Sequence, residues 1–514
     1  MTLSNIAILI AFVLYLAIMV FVGLRNARGN NSAADFFLGG RKLGPFVTAL
    51  SAEASDSSAW LLMGLPGLCY LGGIKETFWT ALGLIAGTYL NWLLVAKPLR
   101  KCSISFGNSI TIPEFFSNRF KDKTNVLSIV SVIFIVFFFT IYTASGFVAC
   151  AKLFNSIFGL NYYIGLVVGM VVILSYTILG GYSAVCKTDF IQGTLIFVAF
   201  VVSSIVAIVS LGGPKEAISQ VQNFDAAALA GQFGEEMKTK FLANQNFSVL
   251  SAISAFSWCF GYFGMPHIII RFMGIRSNKE IKTARRVGII WMIIAYIGTF
   301  IIGTLGTAYL AGNDFSNPIL ILQGGKAETV FSETMMKMYP AFIAGIFLCA
   351  ILAASMSTAD SQLLAASSAI SNDIFKKMIK KDATDKQVLL AGRITVLVIA
   401  AIAFCLSLNP NSSIFGLVSY AWAGFGAAFG PIILLGLYWK GITNKGAIAG
   451  IIAGGVTVVA WHNFPASWGA IFGLYEIIPG VIMCTLLAVI VSLCDKNKNP
   501  EMLEDFAKYK AMAD

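Results

Sequence analysis

An aspartate set among serines, Ser55-Asp56-Ser57-Ser58, lies inside an otherwise apolar stretch from Ala49 to Leu71. A charge at the centre of a membrane helix costs about 2.5 to 3.5 kcal/mol on insertion scales, so it normally faces a cavity, a partner or an ion path. The hydroxyls beside it offer oxygen, the donor that hard cations take. The alternative is a structural carboxylate that pairs with an arginine or caps a half-helix. Glu53, one turn earlier, is a second acid whose place at depth or near a helix end stays open. A complementary set lies far downstream in Ala350 to Ser361, where Ala354, Ser357, Thr358 and Ser361 follow i, i+3, i+4, i+7 and share one helix face. Adjacent hydroxyls on that face, opposite unwound carbonyls, suit a small hard cation. Back-bonding within the helix or close helix packing would use the same residues equally well. Asp360 within that span, with Ser361, and Asp189 after Lys187 are candidates for a second cation position or an inner exit route.

Most aromatic residues here read as lipid-facing or interfacial. Trp60, Tyr142, Trp258 and Tyr262 differ, because they stand beside helix breakers or among small polar residues. An aromatic box from these four suits a compact, largely apolar substrate, with ordinary helix packing as the alternative. The chain carries no enzyme signature. Gly39-Gly40-Arg41-Lys42 lacks P-loop spacing, and neither a Gly-x-Ser-x-Gly elbow nor a His-Glu-x-x-His helix occurs. The nine cysteines and two histidines are scattered, with no disulfide framework or zinc spacing. Energy for any transport must then come from an ion gradient rather than from ATP.

These residues need a membrane scaffold, and the composition supplies one. The chain of 514 residues is 57% hydrophobic and 12% charged, against about a quarter charged in soluble domains. Apolar runs near the roughly 20 residues that cross a bilayer recur throughout. They predict an all-α integral membrane protein of about 13 transmembrane helices, from Ile6 to the segment starting near Ile471. The first reads as a retained helix, being too long for a signal peptide and lacking a cleavage pattern. We expect one transporter domain over 1–514: a peripheral first helix and inner loop (1–45), a core (46–440), two peripheral helices (441–495) and a tail (496–514). The net charge of +11 is a topology signal rather than a nucleic-acid footprint, because an N-terminus outside puts most Lys and Arg on the cytoplasmic side. The lysine-rich stretch from Asp373 to Lys386 then reads as a solvated inner loop, and the tail as cytoplasmic. The outer connection from Gly212 to Asn246 has room for a short surface helix at Ala226 to Phe241. The second span, with Glu53, Ser55, Asp56, Ser57 and Ser58, then Gly64, Pro66 and Gly67, and the seventh, with Gly261, Gly264 and Pro266, look interrupted. Broken spans at corresponding places in two halves point to inverted repeats around a midplane site.

Longer stretches carry a family resemblance: Phe37-Leu38-Gly39-Gly40-Arg41, Leu43 to Ala52, Trp60 to Gly67, Gly261 to Gly264, Pro266-His267-Ile268 and Ser419 to Pro431. Over nearly the whole length the chain resembles the sodium/solute symporters. The resemblance implies a core of two inverted five-helix repeats with discontinuous helices, sodium as the coupling ion, L-proline as the solute and the cell membrane as the location. It implies a sodium site from the carbonyls of Ala54, Ser57 and Ala354 with the hydroxyls of Ser357 and Thr358. Asp56 matches the family's sodium-critical carboxylate, with Ser58 beside it. Trp60, Tyr142, Trp258, Tyr262 and Pro266 match positions linked to the solute, Arg41 an inner arginine tied to coupling, and Asp189 an acid of a second sodium position. Glu53, Ser57, Ala59 and Asp360 depart from the usual pattern, and the extra acids leave ion stoichiometry, and protons in place of sodium, open. Another small solute (a different amino acid, pantothenate or a sugar), a non-transporting proline sensor and a sodium-leak channel remain the alternatives.

Overall fold

The computed structural model describes residues 2–27, 33–222, 247–311, 324–496 and 499–511; the surface helix expected at Ala226 to Phe241 lies outside them. In chain order the α-helices are α1 (Leu3–Ala27), α2 (Ala33–Leu38), α3 (Pro45–Ala59), α4 (Leu65–Gly72), α5 (Ile74–Leu90), α6 (Ala96–Ser105), α7 (Ile112–Phe120), α8 (Val126–Phe158), α9 (Tyr162–Ser210) and α10 (Pro214–Gln222). They continue as α11 (Val249–Phe256), α12 (Pro266–Gly274), α13 (Ile281–Ala311), α14 (Val330–Met338), α15 (Ala341–Ser368), α16 (Asp385–Leu406), α17 (Ile414–Tyr438), α18 (Asn444–His462), α19 (Ile477–Cys494) and α20 (Pro500–Ala511). No strand forms among the described residues, whose only β element is an isolated parallel bridge between Leu43 and Ile275.

Ten helical stretches among the described residues are long and apolar enough to cross a membrane, or 11 with the bent pair Val249–Gly264 and Pro266–Gly274 counted as one span. The expected 13 is not reached on that measure. Pro45–Gly72 is broken and polar at its middle, and Tyr162–Ser175 is apolar but short. The span expected to begin near Phe331 divides into α14 and the much longer α15, because Pro340 caps a fresh start at Ala341.

Both expected interruptions are present, the first at the serines of its stretch rather than at the glycines and proline that follow them. Ser58 leaves helical geometry (φ 43°, ψ 179°), while Pro66 sits harmlessly in the first turn of α4, where a missing N–H costs nothing. Ser58 Oγ instead accepts the Trp60 N–H at 3.1 Å, so a serine restarts the chain. The second break runs through a 3₁₀ stretch, Ser257–Phe263, to Pro266 at the start of α12, with a bend of 46°. Gly261 and Gly264 are needed there, since a Cβ on the first would enter the Trp422 ring and on the second the Phe425 carbonyl of α17. A third departure, at Gly181 (φ 65°), divides α9.

Helix α15 packs against α1, α3, α8 and α9, while α3 also lies against α12 and α13. This brings the turn before the Ser58 break beside the Ser357 face. One face of the bundle is rich in basic residues and clasped shut. There Arg41 donates to the carbonyls of Met273 (2.6 Å) and Ser109 (2.8 Å) and to Ser103 Oγ (3.1 Å). Arg100 donates to the carbonyls of Ile275 (2.7 Å) and Arg276 (2.8 Å). On the same face α20 docks with Phe506 over the buried Arg119 guanidinium, 4.7 Å from it. Lys121 pairs with Glu501 (2.8 Å) and Asp505 (2.6 Å); partial burial works against its charge, but the two carboxylates outweigh it and raise its pKa. At the opposite end Lys152 and Glu328 form a buried pair at 2.6 Å, and Glu328 also accepts the Phe415 N–H at 3.0 Å.

Candidate functional site

Where Ser58 leaves the helix, the i to i−4 ladder lapses and nearby carbonyls need other partners. Four in succession find them. The Ala54 carbonyl accepts Ser357 Oγ at 2.8 Å, and the Ser55 carbonyl accepts Thr358 Oγ1 at 2.8 Å and His267 Nε2 at 3.2 Å. The Asp56 carbonyl faces Tyr142 Oη at 3.5 Å, and the Ser57 carbonyl takes the Trp60 N–H. The Ala354 carbonyl accepts Ser357 Oγ at 3.2 Å. Four of the five residues expected to hold a cation (Ala54, Ala354, Ser357 and Thr358) are therefore brought together, buried, while the fifth, Ser57, is buried on the same turn of α3 with its hydroxyl donating to the Glu53 carbonyl at 2.6 Å. Hydroxyls and amide carbonyls there are hard oxygen donors with no net charge, the chemistry of a singly charged hard cation. Among the described residues no three of His, Cys, Asp and Glu cluster as for a transition metal.

Asp56 lies beside this set. Its Oδ2 accepts Tyr262 Oη at 2.5 Å, and no Lys, Arg or His among the described residues stands within ion-pairing distance of it. Glu53, 2% exposed, accepts Trp92 Nε1 at 3.2 Å, which places it at depth rather than at a helix end. The remaining acids belong to a separate buried network. Arg271 Nη2 pairs with Asp189 Oδ2 at 3.1 Å and donates to Ser55 Oγ (2.7 Å) and Ser361 Oγ (2.5 Å). Ser51 Oγ donates to Asp189 Oδ2 at 2.6 Å, and Ser361 Oγ to Asp360 Oδ1 at 3.3 Å. Asp189, Asp360 and Ser361 are thus joined around a guanidinium, one side chain away from the Ala54–Thr358 set through Ser55.

Sequence reasoning missed Arg271, although a charge in the apolar run Pro266–Gly274 was the same kind of signal that singled out Asp56. Removing one partner of a buried pair strands the other, at about 3 to 5 kcal/mol. We expect Arg271→Met to lower the melting temperature of the purified protein steeply, and Asp189→Asn added to it to recover much of the loss. A double variant as unstable as the single one would deny the pairing its energetic weight.

On the other side of Asp56 lies a tight pocket, with free space of about 10 Å³, lined by Asp56, Ser57, Trp60, Leu84, Tyr142, Trp258, Tyr296, Val418 and Trp422. Trp258 is its aromatic centre, 5.1 Å from Trp60, 5.5 Å from Phe415, 6.1 Å from Trp422 and 5.3 Å from Tyr475 between ring centroids. Trp422 Nε1 donates to the Trp258 carbonyl at 2.8 Å, tying α17 to the second break. The buried Trp60 Nε1 has no acceptor among the described residues. Of the expected solute residues, Asp56, Trp60, Tyr142 and Trp258 line the cavity. Tyr262 reaches it through Asp56, Ser58 serves as a cap, and Pro266 starts α12 outside the lining. Tyr296, Trp422 and Phe415 were not singled out in the sequence. Arg41 lies on the basic face, tying the chain before α3 to the end of α12.

The comparison with known families decides what this arrangement belongs to. Residues 36–454 match the model of the sodium:solute symporter family. The chain is a member of that family. It is 43% identical over 508 residues to the sodium/proline symporter of Salmonella typhimurium (98% of this chain, 96% of that one). It is 42% identical to the high-affinity proline transporter of Bacillus subtilis (96% and 99%). Among solved structures, a substrate-bound, outward-open Na⁺-coupled sialic acid symporter aligns with a TM-score of 0.75 at 20% identity (96% and 98%). Mhp1, a nucleobase-cation-symport-1 transporter, aligns at 0.54 and 13% identity (93% and 99%). The all-helical transporter fold with discontinuous helices is shared with both. The chain is a transporter of this symporter family and not an enzyme.

Proposed function

We propose that this symporter couples inward sodium flow to uptake of L-proline by alternating access. The observation that carries the reading is the contiguity of three features: a hard-oxygen set between the first break and α15, a carboxylate without a protein cation, and a small aromatic cavity. Sodium binds among Ala54, Ser57, Ala354, Ser357 and Thr358. Proline binds beside it, its ammonium toward Asp56, its ring against Trp258 and Tyr142, and its carboxylate at the acceptor-free Trp60 N–H. Asp189, Asp360 and Ser361 form an inner relay for the cation, and Arg41 holds the inner ends closed. The basic face lies in the cytoplasm of the cell membrane, following the positive-inside bias. The N-terminus is then outside and the C-terminus inside, with residues 46–440 forming the moving core.

Coupling follows if ion and solute favour the same state, since a ligand shifts an equilibrium only by its differential affinity. For one sodium and a zwitterion, about 100 mV supplies roughly 2.3 kcal/mol, and a tenfold sodium gradient adds about 1.4 kcal/mol. The test is labelled proline uptake into proteoliposomes with and without an inward sodium gradient. Accumulation that requires sodium and yields to excess unlabelled proline supports ion and solute together. Uptake driven by a pH gradient instead would replace sodium by protons at the Glu53–Asp56 acids, and competition by another solute would replace proline.

The aromatic wall has its own expected result. Each well-placed ring pair contributes about 0.5 to 1.5 kcal/mol beyond burial, and Trp258 makes four. Trp258→Ala should raise half-saturating proline at least about tenfold while half-saturating sodium moves much less. The reverse ranking would remove the box assignment.

A further inference from the structure

We infer that His267 is a positioning residue for the cation site, fixing the Thr358 hydroxyl so that its lone pairs face the ion. The inference rests on the cation site proposed above and adds a residue outside its ligand set.

His267 is fully buried at the second position of α12, directly after the second break. Its Nε2 lies 3.2 Å from the Ser55 carbonyl, on the turn that the first break disrupts. A carbonyl can only accept, so Nε2 carries the proton. One hydrogen bond therefore joins the two discontinuous helices at the level of the cation set. The same carbonyl accepts Thr358 Oγ1 at 2.8 Å, so both of its lone pairs are taken and it is unavailable to an ion. Its role is to hold the Thr358 proton. A hydroxyl that ligates a cation must send its own proton elsewhere, and the Ser55 carbonyl is that acceptor. The chain His267 N–H to Ser55 carbonyl to Thr358 hydroxyl thus leaves the Thr358 oxygen free for sodium. The imidazole is held from the other sides by Phe139 and Tyr142, edge-on at 5.4 Å and 6.1 Å, and Arg271 donates to the His267 carbonyl. Tyr142 also lines the solute cavity, so the imidazole touches the solute wall and the ion site at once.

The experiment reads sodium without using the solute: the rise in melting temperature of the purified protein with sodium chloride, measured against choline chloride at equal ionic strength. One hydrogen bond is worth about 0.5 to 1.5 kcal/mol net. The apolar variant His267→Leu should therefore raise the sodium concentration for half-maximal stabilisation about threefold to tenfold. His267→Gln, whose amide N–H takes the place of Nε2–H, should recover most of that loss, and His267→Asn, which is too short, should not. In a Thr358→Ala background His267→Leu should cause little further change, because there is no hydroxyl left to orient. An unchanged sodium requirement in His267→Leu overturns the inference. A glutamine variant as impaired as leucine, or full additivity with Thr358→Ala, does so too, and these readouts decide the matter if leucine proves unstable. Wild-type protein with no sodium-specific stabilisation would overturn the cation site itself and the inference with it. Sodium stabilisation without proline uptake would leave the inference standing and remove only the solute.

Discussion

Asp56→Ala should abolish sodium-driven uptake while the protein still reaches the membrane. Asp56 is 8% exposed and held by Tyr262 at 2.5 Å, yet no cationic side chain among the described residues balances it. A carboxylate in this position is stabilised by what binds beside it, either sodium or the ammonium of the solute. Two unit charges about 4 Å apart attract by about 4 kcal/mol at an effective dielectric constant near 20, close to a thousandfold in affinity. Asp56→Asn should lose nearly as much, since it keeps the shape and a contact to Tyr262 but not the charge. That comparison separates charge from packing. The measurement is initial-rate uptake of labelled proline, normalised to protein in the membrane. Uptake within about threefold of wild type in either variant would assign Asp56 a structural role only.

How far the site could be read from the sequence depended on whether the signal was local. Asp56 stood out because a charge among apolar residues carries its cost wherever the fold puts it. Ser357 and Thr358 stood out because helical periodicity places them on one face, and α15 proved continuous through them. The first break was expected in the right stretch but not pinned to a residue, since the serines and the glycines and proline beyond them are all signals of backbone freedom in a sequence. Ser58 breaks the helix only because the freed carbonyls are met from α15 and α12, more than 200 positions away. Arg271 and His267 escaped for the same reason: their hydrogen bonds span 82 to 220 positions. With 41 Phe, 16 Tyr and 9 Trp, composition could not choose Phe415, Tyr296 or Trp422 over the lipid-facing majority. The crossing of α17 with the second break does that for Phe415 and Trp422, and the packing of α13 against α3 does it for Tyr296. The count of long apolar helices among the described residues stays below 13 partly because a hydropathy measure passes over Pro45–Gly72, which is polar at its middle.

The hydroxyl pair gives the other large expected effect, on the ion alone. Ser357→Ala and Thr358→Ala each remove a candidate ligand oxygen and also leave a freed carbonyl, Ala54 or Ser55, with one donor fewer. A buried polar group that loses its partner costs about 1 to 3 kcal/mol, so half-saturating sodium should rise about fivefold to a hundredfold in each variant. Half-saturating proline at saturating sodium should stay near wild type, because neither hydroxyl lines the aromatic cavity. Thr358→Ser is the decisive control. It keeps the oxygen and its proton, so it should retain near-normal sodium dependence, whereas Thr358→Val keeps the shape without the hydroxyl and should behave like alanine. The double alanine variant should fall short of the summed effects, since both hydroxyls act on one ion and adjacent carbonyls. If sodium dependence is unchanged in the alanine variants, these residues are packing groups between α3 and α15. The coupling ion would then have to be sought among the acids around Arg271, where Asp189, Asp360 and Ser361 already stand together.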